Sequence, residues 1–258
     1  MSDVIGCVLR SPVDLLYIVD NSPHDTLANI QSLSSRLYYI HSPHNVGYGS
    51  AHNIAIRNAI EQGSRYHVVV NPDIHFDDTV IPALTAYVDS NPDVGLVMPR
   101  VVYPNGDLQY LCKLLPTPRD LILRRFMPRN MGRKSRDRYE LRHWSYDCEA
   151  NIPSLSGCFM FLSLQAINDV GMFDERYFMY GEDIDLSRRI HDRYKTMYYP
   201  GVTIVHDHQQ ASYHNAKMLR IHIANIIKYF NKWGWFFDRQ RRIVNRQCLN
   251  NLNNHDSI

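Results

Sequence analysis

Five carboxylates fall within the run Phe173-Asp174-Glu175-Arg176-Tyr177-Phe178-Met179-Tyr180-Gly181-Glu182-Asp183-Ile184-Asp185-Leu186, set among aromatic and apolar residues and leading into a helical pattern. Asp183 can accept a proton from an attacking hydroxyl, and Glu182 beside it can hold an acceptor or raise its neighbour's basicity; Asp185 is the next candidate base. The same acids suit the positive end of a helix dipole, with Ile184, Leu186 and Ile190 facing a core, so this run by itself fits either a capped helix or a catalytic wall. Two other runs favour chemistry. Tyr66 to Val70 reads as a strand entering Asn71-Pro72-Asp73, where Pro72 stiffens the turn and lets Asn71 and Asp73 aim at one oxygen-ligated cation. Val202 to Val205 reads as a strand ending in His206-Asp207-His208. Open α/β sheets bind ligands outside the carboxyl ends of their strands, where Asp73 and His206 fall. A divalent-cation site, a base and an anion-tolerant cleft are what displacement of a nucleotide diphosphate needs.

The elements that must position these groups alternate between strand and helix, the pattern of an α/β fold with a mainly parallel central sheet flanked by helices. Strands are predicted at Leu15 to Val19, Leu37 to Ile40, Tyr66 to Val70, Val94 to Pro99, Ser156 to Leu162, Thr196 to Tyr199 and, after a turn at Pro200-Gly201, Val202 to His206. Helices are predicted at Gly49 to Gln62, Asp78 to Ser90 and Leu164 to Val170, after the acidic run, and throughout the tail from Asn215. Between Leu108 and Ser145, prolines at 116, 118 and 128 and clustered arginines break the pattern and predict a loop-rich or mobile excursion.

At 258 residues and 45% hydrophobic content the chain can bury a sizeable core. It has no long uninterrupted apolar stretch and no signal pattern, so a soluble cytoplasmic protein is expected, with room for peripheral contact on the inner face of the membrane. Five cysteines without metal spacing read as reduced thiols. The net charge is only +2, but basic residues cluster from Arg119 to Arg142 and from Asn215 to Arg246, where Asp238 is the one acid. Both clusters could meet a phospholipid or a pyrophosphate. No recognition motif accompanies them, so nucleic acid is not expected as a partner. Trp233, Trp235, Phe236 and Phe237 in the tail suit a helix lying on an anionic leaflet and equally an aromatic core cluster with a solvated basic face.

These motifs, in this order, resemble the family 2 nucleotide-sugar glycosyltransferases, inverting enzymes of the GT-A type, and within them the rhamnosyltransferase-like branch of bacterial surface polysaccharide synthesis. The resemblance runs from about Asp3 to His208. Ile18-Val19-Asp20-Asn21-Ser22 looks like the nucleotide-binding strand end, with Asp20 at the base, and Asn45-Val46-Gly47-Tyr48-Gly49-Ser50-Ala51-His52-Asn53 looks like the segment beneath the nucleotide. The resemblance implies that Asp20, Asn45, Gly47, Asn53 and Asn71 bind the nucleotide, that Asp73 and His206 hold Mg²⁺ or Mn²⁺, and that Asp183, with Glu182, is the base. It also implies a dTDP- or UDP-sugar donor, rhamnose being the sugar of this branch, and a polyprenyl-pyrophosphate-linked saccharide as acceptor in O-antigen or other surface polysaccharide synthesis, beside an anionic membrane. The domain so outlined covers 1–208, its nucleotide side about 1–100 and its acceptor side about 101–208, and a helical tail covers 209–258. Members usually begin with an apolar strand, whereas this chain starts at Met1-Ser2-Asp3 in what should be the following helix. The first strand is therefore expected to be missing. The competing reading is a truncated, catalytically impaired sugar-nucleotide-binding or scaffolding protein.

Overall fold

The computed structural model describes residues 2–121, 132–207 and 216–255. Arg124, Arg125 and Arg129 of the basic cluster, and His208, lie outside them. The chain opens with helix α1 (Ser2–Arg10), which buries Val4, Ile5, Cys7 and Val8. Strand β1 (Leu16–Asp20) pairs in parallel with β2 (Leu37–His41), Leu16 opposite Leu37 and Asp20 opposite His41. Helix α2 (Tyr48–Glu61) buries the small residues Ala51, Ala55 and Ala59 with Ile56. Then come β3 (Tyr66–Val70), β4 (Ile74–His75), α3 (Val80–Ser90) and β5 (Val94–Val102). The second half carries α4 (Arg133–Tyr139), β6 (Ala150–Asn151), β7 (Phe159–Ser163), α5 (Leu164–Val170), α6 (Glu182–His191), β8 (Lys195–His206), α7 (Ala216–Trp233) and α8 (Arg239–His255).

The main sheet has the order β3-β7-β5-β8-β4, with β6 also on β8. It is mixed, which corrects the expectation of a mainly parallel sheet. β5 and β8 are parallel, but β7 returns from the 103–158 excursion and runs antiparallel between β3 and β5. β1 and β2 form a sheet of their own. A cavity of about 270 Å³ lies between β1 and the end of β3, lined on its helical sides by Val4 and Val8 of α1 and Ala51 and Ala55 of α2.

The Leu108 to Ser145 excursion is loop-rich where described, as expected, and it also packs into the core: Cys112, Leu114, Leu115, Tyr139, Leu141 and Trp144 are buried there. One further expectation gives way. Pro200 and Gly201 do not end a strand. β8 absorbs them as a bulge between the pairs Pro99 with Tyr199 and Arg100 with Thr203, a place where proline removes no needed ladder donor. The tail packs on the body through Tyr229, Phe230, Cys248 and Leu252. Asn245 of α8 clasps the backbone of Leu115, accepting from its N–H at 2.8 Å and donating to its carbonyl at 2.9 Å.

Candidate active site

The turn after β3 brings two strand ends together. The Asn71 N–H donates to the Cys158 carbonyl at 2.9 Å, β4 then pairs with the end of β8 so that Ile74 faces His206, and the Asp207 N–H donates to the Asp73 carbonyl at 2.9 Å. Asp73 Oδ1 thereby sits 3.4 Å from His206 Nε2. Gln109 donates its amide to the His206 carbonyl at 2.7 Å, which turns its own carbonyl oxygen toward His206 Nδ1 at 2.9 Å. Nδ1 then carries the proton, and the Nε2 lone pair faces a carboxylate oxygen that is buried without a hydrogen-bond donor. Two electron-rich atoms placed this way fit a shared cation, and a carboxylate with an imidazole suits Mg²⁺ or Mn²⁺. No group of three or more His, Cys, Asp or Glu side chains is arranged to hold a metal among the described residues, so oxygens of a substrate or water would complete the shell.

Asp20 ends β1 and is nearly buried. Its carboxylate accepts from the Ser22 N–H at 2.8 Å, from the Ser22 hydroxyl, and from the Tyr39 hydroxyl at 2.9 Å. Burial pushes Asp20 up, but these hydrogen bonds more than offset it and hold the carboxyl below its usual value, so it is an anion aimed at the strand end. The Asn45 side chain accepts from the Gly47 N–H at 3.0 Å and shapes the loop entering α2. Gly47 has φ +95°, and a Cβ there would collide with the Phe178 carbonyl oxygen. That contact ties the loop entering α2 to the acidic run. Asn53 is buried; both amide hydrogens go to the Phe173 carbonyl at 2.9 Å and Glu175 at 3.0 Å, and its oxygen accepts from the Phe173 N–H at 3.0 Å. The structure thus places Asn53 as a clasp on the acidic run, behind the residues that face the cleft.

A pocket of about 240 Å³ opens on the other side, with Lys113, Tyr180, Glu182, Asp183, His222 and Asn225 in its wall. Asp183 stands in the first turn of α6, half-buried, its Oδ2 accepting from the Gly157 N–H at 3.2 Å. The Tyr48 hydroxyl donates to the Gly157 carbonyl at 2.6 Å and also reaches Asn71 Oδ1 at 3.1 Å. Tyr48 and Gly157 thus lie between Asn71, at the end of β3, and Asp183. Glu182 is buried, and burial first, then the neighbouring Asp183 charge, push its carboxyl well above the usual range. It holds its proton at neutral pH.

The raised Glu182 pKa has a signed consequence. The unfolded chain ionises this carboxyl near its ordinary value while the folded protein keeps the proton, so Glu182 loses stability for the fold as pH rises from the unfolded pKa through the folded one. Glu182→Gln cannot ionise, so its melting temperature is expected to gain several degrees on the wild type at about pH 8 relative to about pH 5. Parallel thermal unfolding of both proteins at the two pH values checks this; a difference that does not change with pH refutes it.

Asp185 is excluded as a base. It is fully buried and accepts from Trp233 Nε1 at 2.7 Å, Arg189 Nε at 2.8 Å and Lys232 Nζ at 2.6 Å. Sequence reasoning missed Gln109, Lys113, Tyr180 and the tail residues His222 and Asn225. Tyr180 offers a signal only in hindsight, as the aromatic before Gly181-Glu182-Asp183; it adopts φ +71° and packs edge-on against His222 at 5.1 Å. Gln109 lies 97 residues from its histidine and has no local signature.

Comparison with known proteins agrees with this architecture. Residues 4–153 match Glycosyl transferase family 2. The chain is similar to the N-acetylglucosaminyl-diphospho-decaprenol L-rhamnosyltransferase of Mycobacterium tuberculosis, with 29% identity over 175 residues, 63% of this chain and 56% of that one. It is also similar to a low-salt glycan biosynthesis hexosyltransferase of Haloferax volcanii, with 25% identity over 67% of this chain and 52% of the relative. The matches span just over half the length of these curated relatives. Among solved structures, GalNAc-T7 with UDP, GalNAc and Mn²⁺ superposes with a TM-score of 0.62 at 12% identity, over 89% of this chain and 45% of that one. The Pyrobaculum calidifontis mannosyltransferase in complex with GDP-Man and Mn²⁺ gives 0.55 at 17% identity, over 87% and 59%. The structural likenesses show the GT-A-type fold, and the sequence match, covering more than half of the residues, shows that the chain belongs to glycosyl transferase family 2.

Proposed function

We propose that this chain transfers a sugar, rhamnose by similarity to the mycobacterial relative, from a nucleotide diphosphate to a hydroxyl of a lipid-linked saccharide, with inversion at the anomeric carbon. The observation that carries the reading is the approach of Asp73 Oδ1 to His206 Nε2 at 3.4 Å at the ends of two strands, with Asp183 in the wall of a separate pocket and Tyr48 and Gly157 between Asn71 and Asp183. It supports a donor diphosphate on one side and an acceptor on the other. Asp183 takes the acceptor proton as the new C–O bond forms and the bond to the diphosphate breaks. Glu182, neutral, spares the incoming hydroxyl a second negative charge. Asp20, Asn45, Gly47 and Asn71 form the nucleotide side. A Mg²⁺ or Mn²⁺ held by Asp73 and His206 would neutralise charge on the leaving diphosphate. The domain boundary belongs to the same reading with one change, since α7 of the tail supplies part of the acceptor wall.

Donor hydrolysis without acceptor, measured across a panel of nucleotide sugars, tests the donor side. Activity is expected to vanish with chelator and to return with Mg²⁺ or Mn²⁺, and Asp73→Ala is expected to raise the metal concentration needed by about 10-fold or more. An unchanged metal requirement in Asp73→Ala sinks the assignment. The separation of the β1–β2 sheet from the main one favours a second reading, a sugar-nucleotide-binding protein without turnover. Tight donor binding with no product from any donor and acceptor would select it.

A further inference from the structure

We propose that the outer face of α7, the Phe236-Phe237 turn and the outer face of α8 form a docking surface for an anionic lipid bilayer. α7 has two opposed faces. His222, Asn225 and Tyr229 line the acceptor pocket, while Arg220, Ile223, Ala224, Ile227, Lys228 and Asn231, spaced 0, 3, 4, 7, 8 and 11, are exposed. α8 repeats the spacing with Arg239, Arg242, Ile243 and Arg246 outward, and Arg241, Cys248 and Leu252 inward. Between the helices, Phe236 and Phe237 are 75% and 92% exposed, and Ile227 and Ile243 add 43% and 45%. Adjacent phenylalanines held this far into water on a turn are what a partner buries.

The aromatic cluster is therefore divided. Trp233 turns inward, bonded to Asp185 and stacked under Arg188 at 4.1 Å, and Trp235 packs on Phe230 at 5.2 Å. Only the phenylalanine pair is left outside. The charge around it has one sign. Asp238, the single acid from 216 to 255, is buried against Arg188 and Arg241, whereas Arg220, Arg239, Arg242 and Arg246 are exposed with no acidic partner among the described residues. Isoleucines and phenylalanines rimmed by unpaired arginines match the acyl boundary and headgroups of an anionic leaflet. A second copy fits worse, because a two-fold contact would set the arginine stripe against itself. Among the described residues no helix is long and apolar enough to cross a membrane, so the contact is peripheral. The inward face of α7 would then hold the acceptor pocket beside the bilayer, a link that rests on the proposed function; the surface itself does not.

Sedimentation of the full chain with vesicles, in the absence of substrates, tests it. The wild type is expected to bind phosphatidylglycerol-containing vesicles, to ignore pure phosphatidylcholine, and to release as salt rises. Phe236→Ser with Phe237→Ser, a largely exposed pair outside the buried core, should weaken binding by about 10-fold or more. Arg239→Glu, Arg242→Glu and Arg246→Glu together should weaken it by more than about 100-fold. Binding indifferent to the phenylalanines, or competed by single-stranded DNA at equal charge, overturns the bilayer as the occupant, and so does a shift from monomer to dimer that the phenylalanine variant abolishes. No vesicle binding alongside normal donor hydrolysis overturns the surface while leaving the transferase reading; strong vesicle binding without hydrolysis supports the surface and counts against that reading.

Discussion

Asp183→Asn is expected to lower transfer by about 100-fold or more while donor binding stays within a few fold. The substitution keeps the shape of the side chain and an oxygen able to accept from the Gly157 N–H, so the wall stays in place and only proton acceptance is lost. Asp185 cannot take over, since its oxygens are committed to Trp233, Arg189 and Lys232 inside the protein. Glu182 is disfavoured too, because burial, the larger cause of its raised pKa, persists in the variant. Steady-state turnover with a nucleotide-sugar donor and a lipid-linked acceptor, paired with donor affinity by calorimetry, measures both halves. Near-normal turnover in purified Asp183→Asn would move the base off α6.

Asp238→Ala is expected to be the most destabilising of the tail substitutions, by about 3–5 kcal/mol. Arg188 of α6 and Asp238, between α7 and α8, are 2% and 4% exposed and meet through two hydrogen bonds, at 2.7 and 2.9 Å. Removing the carboxylate leaves a guanidinium in a dry site with only Tyr229, Gln240 and the Trp233 ring around it. For a chain this long the loss corresponds to a fall of roughly 10 °C in melting temperature. The double variant Arg188→Met/Asp238→Leu should recover part of it, because neither charge then remains buried. Denaturant unfolding of the three proteins checks the ordering, and a double variant less stable than Asp238→Ala would show that the ion pair is net stabilising in its own right. Because Arg188 lies on the helix that carries Asp183, transfer should fall along with stability.

What the sequence made legible follows the range of the interactions involved. Helix α5 at Leu164–Val170 and strand β3 at Tyr66–Val70 match their expected bounds, since hydrophobic runs and the local caps around them decide such elements. The convergence of Asp73 and His206 was legible as two polar residues at strand ends; their 3.4 Å separation depends on β4, a two-residue strand too short to show a period. The loop-rich character of the Leu108 to Ser145 excursion was legible, but its burial was not, because irregular backbone hides it: Leu141 adopts φ +50° and is still buried. β7, a plain apolar run, gave no sign of its antiparallel direction, which depends on how the excursion before it returns. The wall of the pocket beside Asp183 was half legible. The tail's basic outer faces stood out, but the inward face of α7 is chosen by what it packs against, and spacing does not reveal that.

The separation of the β1–β2 sheet from the main sheet bears on what a measured donor affinity means. Asp20 stands on one sheet and Asp73 beside the other, and the distance between them is set by how α1 and α2 pack across the intervening cavity, with no ladder of hydrogen bonds spanning it. Side-chain packing yields to small displacements more readily than a paired backbone does. A nucleotide reaching from Asp20 to the cation corner would therefore act as a strut between two pieces, and its dissociation constant would combine intrinsic affinity with the fraction of molecules already at the right span. A substitution in the cavity wall, at Val8 or Ala55, would then alter affinity without touching the ligand.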